Sequence, residues 1–321
     1  MTPSATAPTS VSALPEVSIR QLGAQQIWTP NLPLFDWPLD ITPRTRIASM
    51  GSCFAREIGG WLETHGYTYL REGEGPGVQH GSAPWGRVYN TGCIRQEFER
   101  LVHDTFRPAE QVWRMPDGRL KDPYRKEVVW ADAEERNAEL KAYKAAGRKV
   151  LEACEVFILT LGLSEIWYNY TDDAVYFQVP PASVYVASQH MFMLQGARRV
   201  ALDLEYAIDD LQQINPSCKI VLTLSPVPLR ATFRKDTHVM TANMASKSIL
   251  RAGIEEVVAE NVSYFPAYEI ITMMGREAYQ PDGRHVKPAV VDAIMRLFVR
   301  ANPRQQQQTL PETEAWRHGT L

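Results

Sequence analysis

The hydrophobic positions of this chain fall into five short apolar runs, and stretches with apolar residues every three or four positions follow most of them. The runs lie at residues 46–50, 67–70, 156–160, 219–224 and 262–265. Short continuous apolar runs are typical of strands that are buried on both faces, and the longer spacing is typical of amphipathic helices. The pattern therefore predicts an α/β fold, a three-layer α/β/α sandwich around a five-stranded, mostly parallel sheet with insertions.

We expect this core to span residues 45–300, because the rest of the chain differs from it in composition. Residues 1–17 are rich in Thr, Ser, Pro and Ala and predict a disordered tail, whereas residues 18–44 predict an extended arm. Residues 301–321 form a polar, Gln-rich C-terminal tail. Residues 105–135 predict a basic insertion, and two interpretations of its charge stay open: contact with an acidic substrate group, or solvated surface.

A strand-to-helix corner follows the first apolar run. Gly51 ends the run and helical spacing begins directly after it, so Ser52 and Cys53 lie at the corner. Such a corner presents a nucleophile at the carboxyl edge of a parallel sheet, beside the positive end of the helix. We favour Cys53 over Ser52 because thiols at helix N-termini are generally the more reactive nucleophiles. The alternative is a plain tight turn in which Ser52 caps the helix and Cys53 is buried.

A loop near the end of the core carries Asp282 and His285. Flanking proline and glycine residues predict irregular structure there, so that the two side chains can face one site. A carboxylate next to an imidazole orients the ring and supports its action as a base. Taken alone the pair also fits a solvated turn, but the chain order of nucleophile, Asp and His favours catalysis. His80 is a rival base, which we expect on a surface loop.

Residues 51–55, Gly-Ser-Cys-Phe-Ala, resemble the signature that names the GSCFA family, and that family resembles the SGNH (GDSL-type) hydrolases. Supporting stretches that are similar to the family pattern lie at residues 160–167, 224–228, 264–269 and 282–285. The resemblance implies an SGNH-like or flavodoxin-like fold over the whole predicted core. It also aligns Cys53 with the nucleophile of the SGNH pattern and Ser52 with the position at which an Asp usually stands.

The resemblance further implies where a developing oxyanion would be bound. Gly86 lies in the glycine-rich loop after the second strand, the expected source of one backbone donor, with Asn90 as a nearby side-chain donor. SGNH enzymes place Gly-x-Asn after the third strand, whereas this chain has Gly162 followed two residues later by Ser164. A hydroxyl there can still donate one hydrogen bond. Glu165 is expected to orient a neighbouring group or to serve as a first-turn acid of a helix.

Two functions from different classes follow. The first is an acyl hydrolase or acyltransferase that acts on an ester or thioester through a covalent intermediate on Cys53, with His285 as base and Asp282 behind it. The second is a non-catalytic SGNH-like binding module. Ser164 and the missing Asp at position 52 are the observations in its favour. A metal hydrolase ranks third, because no third ligand stands at a recognised spacing from Asp282 and His285. We expect no metal and no cofactor.

The composition limits the classes of partner and the cellular location that we expect. The formal net charge is −3, which argues against nucleic acid or an anionic membrane as the main partner. No apolar run approaches the length of a membrane span, and the first residues lack the features of a signal peptide. The four cysteines are scattered without paired spacing, which suits a reducing compartment and predicts a cytoplasmic location. The expected partner is a small-molecule or glycan ester or thioester, and the oligomeric state stays open.

Overall fold

A computed structural model of the protein describes residues 39–75 and 77–300. The tail predicted at residues 1–17, most of the arm (residues 18–38) and the C-terminal tail (residues 301–321) lie outside the described residues.

The described chain contains ten strands and seven α-helices. The strands are β1 (Ile47–Gly51), β2 (Trp113–Arg114), β3 (Leu120–Lys121), β4 (Val129–Trp130), β5 (Val156–Leu161), β6 (Glu165–Asn169), β7 (Val175–Tyr176), β8 (His190–Leu194), β9 (Lys219–Leu224) and β10 (Val262–Tyr264). The α-helices are α1 (Cys53–Thr64), α2 (Thr91–Phe98), α3 (Ala133–Ala153), α4 (Ala197–Ile214), α5 (Val239–Glu255), α6 (Ala267–Met273) and α7 (Pro288–Arg300). Short 3₁₀ turns lie at Val78–His80 and Gly275–Ala278, and a π-helical turn at Glu99–His103 follows α2.

The central sheet is parallel and has the strand order β1-β5-β9-β10. The prediction of five strands is wrong by one, because residues 67–70 make only an isolated bridge from Tyr69 to Ile47. The reason lies at the free edge of β1, which three short segments share. The amide of Leu70 donates to Ile47 O at 2.8 Å, that of Ser82 to Ser49 O at 3.1 Å, and that of Val88 to Gly51 O at 2.8 Å. No one segment stays at this edge long enough to form a strand.

Side chains of the central strands alternate between two helical layers. Met50, Leu159 and Leu222 stand in one row of the parallel register, and they join a buried apolar cluster with residues of α2, α3, α4 and α5. On the opposite face α1 packs against β1 and α7. The rings of Phe265 and Phe298, whose centroids lie 5.0 Å apart, fasten α7 to the chain that leaves β10. The predicted α/β sandwich with a parallel sheet is confirmed.

Two smaller antiparallel sheets lie on the connections of the parallel sheet. The first has the order β2-β3-β4 and forms within residues 105–135, where Leu120 pairs with Trp130. The second has the order β7-β6-β8 and lies on the chain between β5 and α4. Neither one widens the parallel sheet. Across the described ranges, none of the helices combines the length and the apolarity that a membrane crossing requires.

Candidate active site

The corner between β1 and α1 depends on a glycine. Gly51 has a φ of +145°, and a Cβ at this position would lie 2.3 Å from the carbonyl oxygen of Thr160. Only glycine tolerates both the backbone conformation and the close approach of β5. The chain then enters α1 with Ser52 as its N-cap, whose Oγ accepts a hydrogen bond from the amide of Phe54 at 3.3 Å.

Ser52 and Cys53 point to different environments. Ser52 is 2% exposed, its amide donates to Thr160 Oγ1 at 2.8 Å, and its hydroxyl lies 3.2 Å from the same atom. Its side chain is thus engaged with the helix and with β5. Cys53 is half-buried and lines a cleft of about 260 Å³. Of the two candidate nucleophiles, the thiol is the one that a ligand in this cleft can reach.

His285 lines the same cleft as Cys53. The walls come from α1, from the loop after β9 and from the loop before α7, and the lining residues are Cys53, Phe54, Arg56, Glu57, Val227, Gln280, His285 and Val286. The last loop is fastened to the one after β9, because the Tyr279 hydroxyl donates to Pro226 O at 3.2 Å. Among the described residues, no hydrogen bond joins the Cys53 sulfur to the His285 ring. Catalytic contacts often tighten only when substrate binds.

Asp282 holds the histidine in place within this loop. One carboxylate oxygen accepts hydrogen bonds from the amides of Arg284 at 2.9 Å and His285 at 3.0 Å, and the other bonds to Nδ1 of the His285 ring. The side-chain bond to His285, followed by the two amide bonds, lowers the pKa of Asp282 to about 2. Because Nδ1 is engaged, Nε2 is the ring nitrogen left to take a proton.

Polar groups that the sequence reasoning missed surround the sulfur. The hydroxyl of Tyr89 lies 3.7 Å from Sγ of Cys53, and a guanidinium nitrogen of Arg87 lies 4.0 Å from it. Glu127, from the insertion, fixes Arg87 with contacts of 2.7 and 3.2 Å. Burial, followed by the nearby Cys53, raises the pKa of the Tyr89 phenol, which therefore remains a proton donor. The clue in the sequence was the polar, glycine-rich loop that holds both Arg87 and Tyr89.

His80 is not on the surface, contrary to expectation. It is 6% exposed, and its Nε2 lies 3.6 Å from Glu127 Oε1. Burial, followed by the positive charge of Arg87, lowers its pKa. The expectation failed because the loop after the 3₁₀ turn packs along the edge of β1, where Ser82 bonds to Ser49. His80 is not among the residues that line the cleft.

Gly86 and Asn90 have structural partners next to the site. Gly86 has a φ of +70°, and a Cβ there would lie 2.8 Å from Glu127 Oε2, so the glycine admits the carboxylate that holds Arg87. Asn90 is 2% exposed and is the N-cap of α2, where its Oδ1 accepts from the amide of Cys93 at 2.8 Å. Neither residue is among those that line the cleft.

The three candidates after β5 are engaged elsewhere. The amide of Gly162 donates to Tyr89 O at 2.8 Å. Ser164 is fully buried, and its hydroxyl donates to Ser246 Oγ of α5 at 3.2 Å. Glu165 begins β6 and accepts hydrogen bonds, one of them at 2.7 Å, from the loop that follows β9. The structure places Cys53 and His285 on one cleft, with Asp282 bonded to His285, whereas the three candidates after β5 are not among the residues that line it. No cluster of three potential metal ligands occurs in the described ranges.

Comparison with known proteins finds a match to a protein family. The sequence model described as the GSCFA family matches residues 46–298. Among solved structures, the chain is similar to a carbohydrate esterase of family 3 from Talaromyces cellulolyticus, with a TM-score of 0.35, 9% identity and coverage of 80% of this chain and 95% of the other. It is also similar to the acetyl xylan esterase Est2A from Butyrivibrio proteoclasticus, with a TM-score of 0.30, 13% identity and coverage of 80% and 62%. Similarity at this level does not identify a function. No curated protein matches the sequence.

Proposed function

The chain belongs to the GSCFA family, and we propose that it is an acyl hydrolase or acyltransferase that forms a covalent acyl-enzyme on Cys53. One observation carries the proposal: the thiol at the start of α1 and the His285 ring from the last loop line the same cleft. The Asp282 carboxylate behind the ring completes the arrangement of nucleophile, base and orienting acid. The substrate class is an ester or thioester.

In the proposed reaction, Nε2 of His285 takes the proton of the Cys53 thiol as the sulfur attacks the substrate carbonyl. The tetrahedral intermediate collapses when the bond to the leaving alcohol or thiol breaks, and His285 returns the proton to that group. The product on the enzyme is a thioester on Cys53. Water, activated by the same ring, then hydrolyses it, or a sugar hydroxyl or an amine takes the acyl group.

The oxyanion contacts need revision in this proposal, because Gly162 and Ser164 are engaged elsewhere. We assign one contact to the backbone N–H of Cys53, since the first amides of a helix have no intrahelical partner and this one has no acceptor among the described residues. The Tyr89 hydroxyl, which lies 3.7 Å from the sulfur, supplies the second contact. Loss of one such donor typically costs about 3 kcal/mol in the barrier.

The test is site-resolved labelling with turnover. Iodoacetamide at pH 7, followed by peptide mass spectrometry, should label Cys53, because the other three cysteines of the chain, all in described ranges, are buried. The His285→Ala variant should label more slowly and lose hydrolysis of an activated ester such as p-nitrophenyl acetate. His103→Ala is the matched control, because His103 belongs to another exposed His–Asp pair, with a 2.8 Å contact to Asp210. Full turnover by Cys53→Ala, together with loss of turnover in folded Ser52→Ala, would refute the assignment.

A non-catalytic binding module is the second candidate. The observation in its favour is the buried, engaged hydroxyl of Ser164 at the position where the SGNH pattern has its Asn donor. This candidate predicts labelling of Cys53 that does not depend on His285, and no turnover of activated esters. The same experiment therefore separates the two functions.

A further inference from the structure

A second cavity, of about 200 Å³, shares no lining residue with the cleft of Cys53 and His285. Its lining residues come from the π-helical turn and the residue after it, from the insertion at residues 105–135 and from α3. We call it the insertion cavity. Three of its walls are aromatic and are formed by Phe106, Tyr124 and Trp130. None of its lining residues takes part in the proposed acyl transfer.

Arg100, on the π-helical turn, is the central feature of the insertion cavity. It is only 7% exposed, and its guanidinium carbon lies 4.8 Å from the ring centroid of Phe106 and 5.8 Å from that of Tyr124. Its Nε is buried and finds no hydrogen-bond acceptor. The carboxylate of Glu97 lies 4.0 Å away and is already bonded by the Tyr143 hydroxyl. A buried donor without an acceptor is unfavourable, and a ligand oxygen in the cavity would satisfy this one.

Arg136 of α3 also lines the cavity and shows a similar pattern. Its Nε is also buried without a hydrogen-bond acceptor. Its other nitrogens donate to neutral groups, the amide oxygens of Gln111 at 2.8 Å and of Asn137 at 3.3 Å. Among the described residues, no carboxylate pairs with Arg136. Two guanidinium groups therefore face one small cavity without hydrogen bonds to an acid.

The two acids that line the cavity are already paired with other cations. Arg107 and Lys144 share Asp104, with contacts of 3.4 and 2.7 Å. Asp122 pairs with Arg125 at 2.9 Å. Both acids that line the cavity are thus paired with other cations. Arg100 has only the 4.0 Å contact to Glu97, and Arg136 has no carboxylate partner among the described residues, so its charge is available to a ligand.

We propose that the insertion cavity binds a small organic anion, a carboxylate or phosphate group carried on a single planar ring. Guanidinium groups bind both oxyanions through paired hydrogen bonds, and they leave their flat faces for aromatic neighbours. The aromatic walls suit the ring of the ligand. The volume equals roughly that of seven liquid waters, which admits one ring with its anionic group. This site is distinct from the acyl-transfer cleft and does not depend on Cys53.

Isothermal titration of the full-length chain with phenyl phosphate, benzoate and neutral benzyl alcohol tests the proposal. We expect at least one anion to bind at least tenfold more tightly than benzyl alcohol, and this affinity to fall as salt rises. The tighter anion identifies phosphate or carboxylate as the natural group. Cys53→Ala should bind the anion with unchanged affinity, which separates this cavity from the cleft. Arg100→Gln and Arg136→Gln should each weaken binding at least tenfold.

Arg198→Gln is the matched control, because this arginine lies on α4 with a side chain that is 69% exposed. If the buried Arg100 cannot be replaced without unfolding, as judged by thermal melting, the half-buried Arg136 decides the question. The proposal is overturned if both anions bind no better than benzyl alcohol. Anion binding that survives unchanged in folded Arg136→Gln also overturns it.

Discussion

Lys247 of α5 holds two loops together behind the candidate active site. The residue is 1% exposed, and its amine donates to the carbonyl oxygens of Gly162 at 2.7 Å and of Ser225 at 2.8 Å. The first lies after β5 and the second after β9, on the loop that also brings Val227 to the cleft. Burial lowers the pKa of Lys247 from its ordinary value of 10.5 to about 7.

The geometry agrees with a neutral amine. Such an amine has two N–H bonds, which match the two carbonyl acceptors, whereas the third N–H of an ammonium would have only the Tyr268 ring, whose centroid lies 5.9 Å from Nζ. Because the pKa of Lys247 is lower in the folded state, the unfolded chain binds more protons between about pH 7 and pH 10.5. The free energy of unfolding therefore rises with pH in this window. Below pH 7 both states carry the proton and the contribution is constant.

The magnitude follows from linkage. One pKa unit corresponds to about 1.4 kcal/mol, so the contribution of Lys247 should rise by about 2 kcal/mol between pH 7 and pH 9. Urea unfolding, followed by circular dichroism at pH 7, 8 and 9, measures this for the natural chain and for Lys247→Met. Other titrating groups are present in both proteins and cancel in the difference. Lys141→Met, at an exposed position of α3, is the control and should show no such trend.

A difference between natural chain and Lys247→Met that stays constant from pH 7 to pH 9 would refute the reasoning. It would mean that Lys247 keeps its proton in the folded state and that the two carbonyls hold an ammonium.

Three further predictions concern the corner and its surroundings. Gly51→Ala should lower the free energy of unfolding by about 3 kcal/mol or more, because its Cβ would meet the Thr160 carbonyl at 2.3 Å; urea unfolding measures this, and a loss below 1 kcal/mol would contradict it. Ser52→Ala should cost about 1 kcal/mol through loss of the helix cap and keep the iodoacetamide labelling of Cys53; loss of labelling in the folded variant would speak for a chemical role. Glu127→Gln should reduce kcat/KM for an activated ester about tenfold, because it releases Arg87 from its place beside the sulfur. An unchanged kcat/KM would show that Arg87 has no part in the reaction.

The parallel sheet could be predicted because each buried strand is a short apolar run that is readable without tertiary information. The second run, at residues 67–70, was the exception. Its apolar residues do lie beside β1, but the glycine-rich loop after Leu70 leads the chain away, and Ser82 and Val88 take the next backbone partners. Which segment occupies the edge of a sheet depends on where a loop returns. The pattern of apolar residues does not contain that information.

In the candidate site, too, local sequence features could be recognised, whereas contacts between distant parts of the chain could not. Cys53 and the pair of Asp282 and His285 can be proposed from the sequence because each stands at a recognisable local feature, a strand-to-helix corner and a short loop. Arg87 and Glu127 were missed because they meet across a sequence separation of 40 residues and belong to no motif. Ser164 was placed at the oxyanion by alignment alone. In the structure the Ser164 hydroxyl donates a hydrogen bond to Ser246 of α5, which lies 82 positions away in the sequence. No local spacing reveals a partner at that distance.

The five residues of the family signature divide into one half-exposed side chain and four buried residues. Gly51 allows β1 to approach β5, and Ser52 caps α1 and ties it to that strand. Phe54 is 1% exposed and Ala55 is fully buried, so both anchor the first turn of α1 in the core. Only Cys53 is left half-exposed at the cleft. A plain turn would not require a thiol at the one position that packing leaves open. The arrangement therefore favours a chemical role for the sulfur over the capping role that its neighbour already fills.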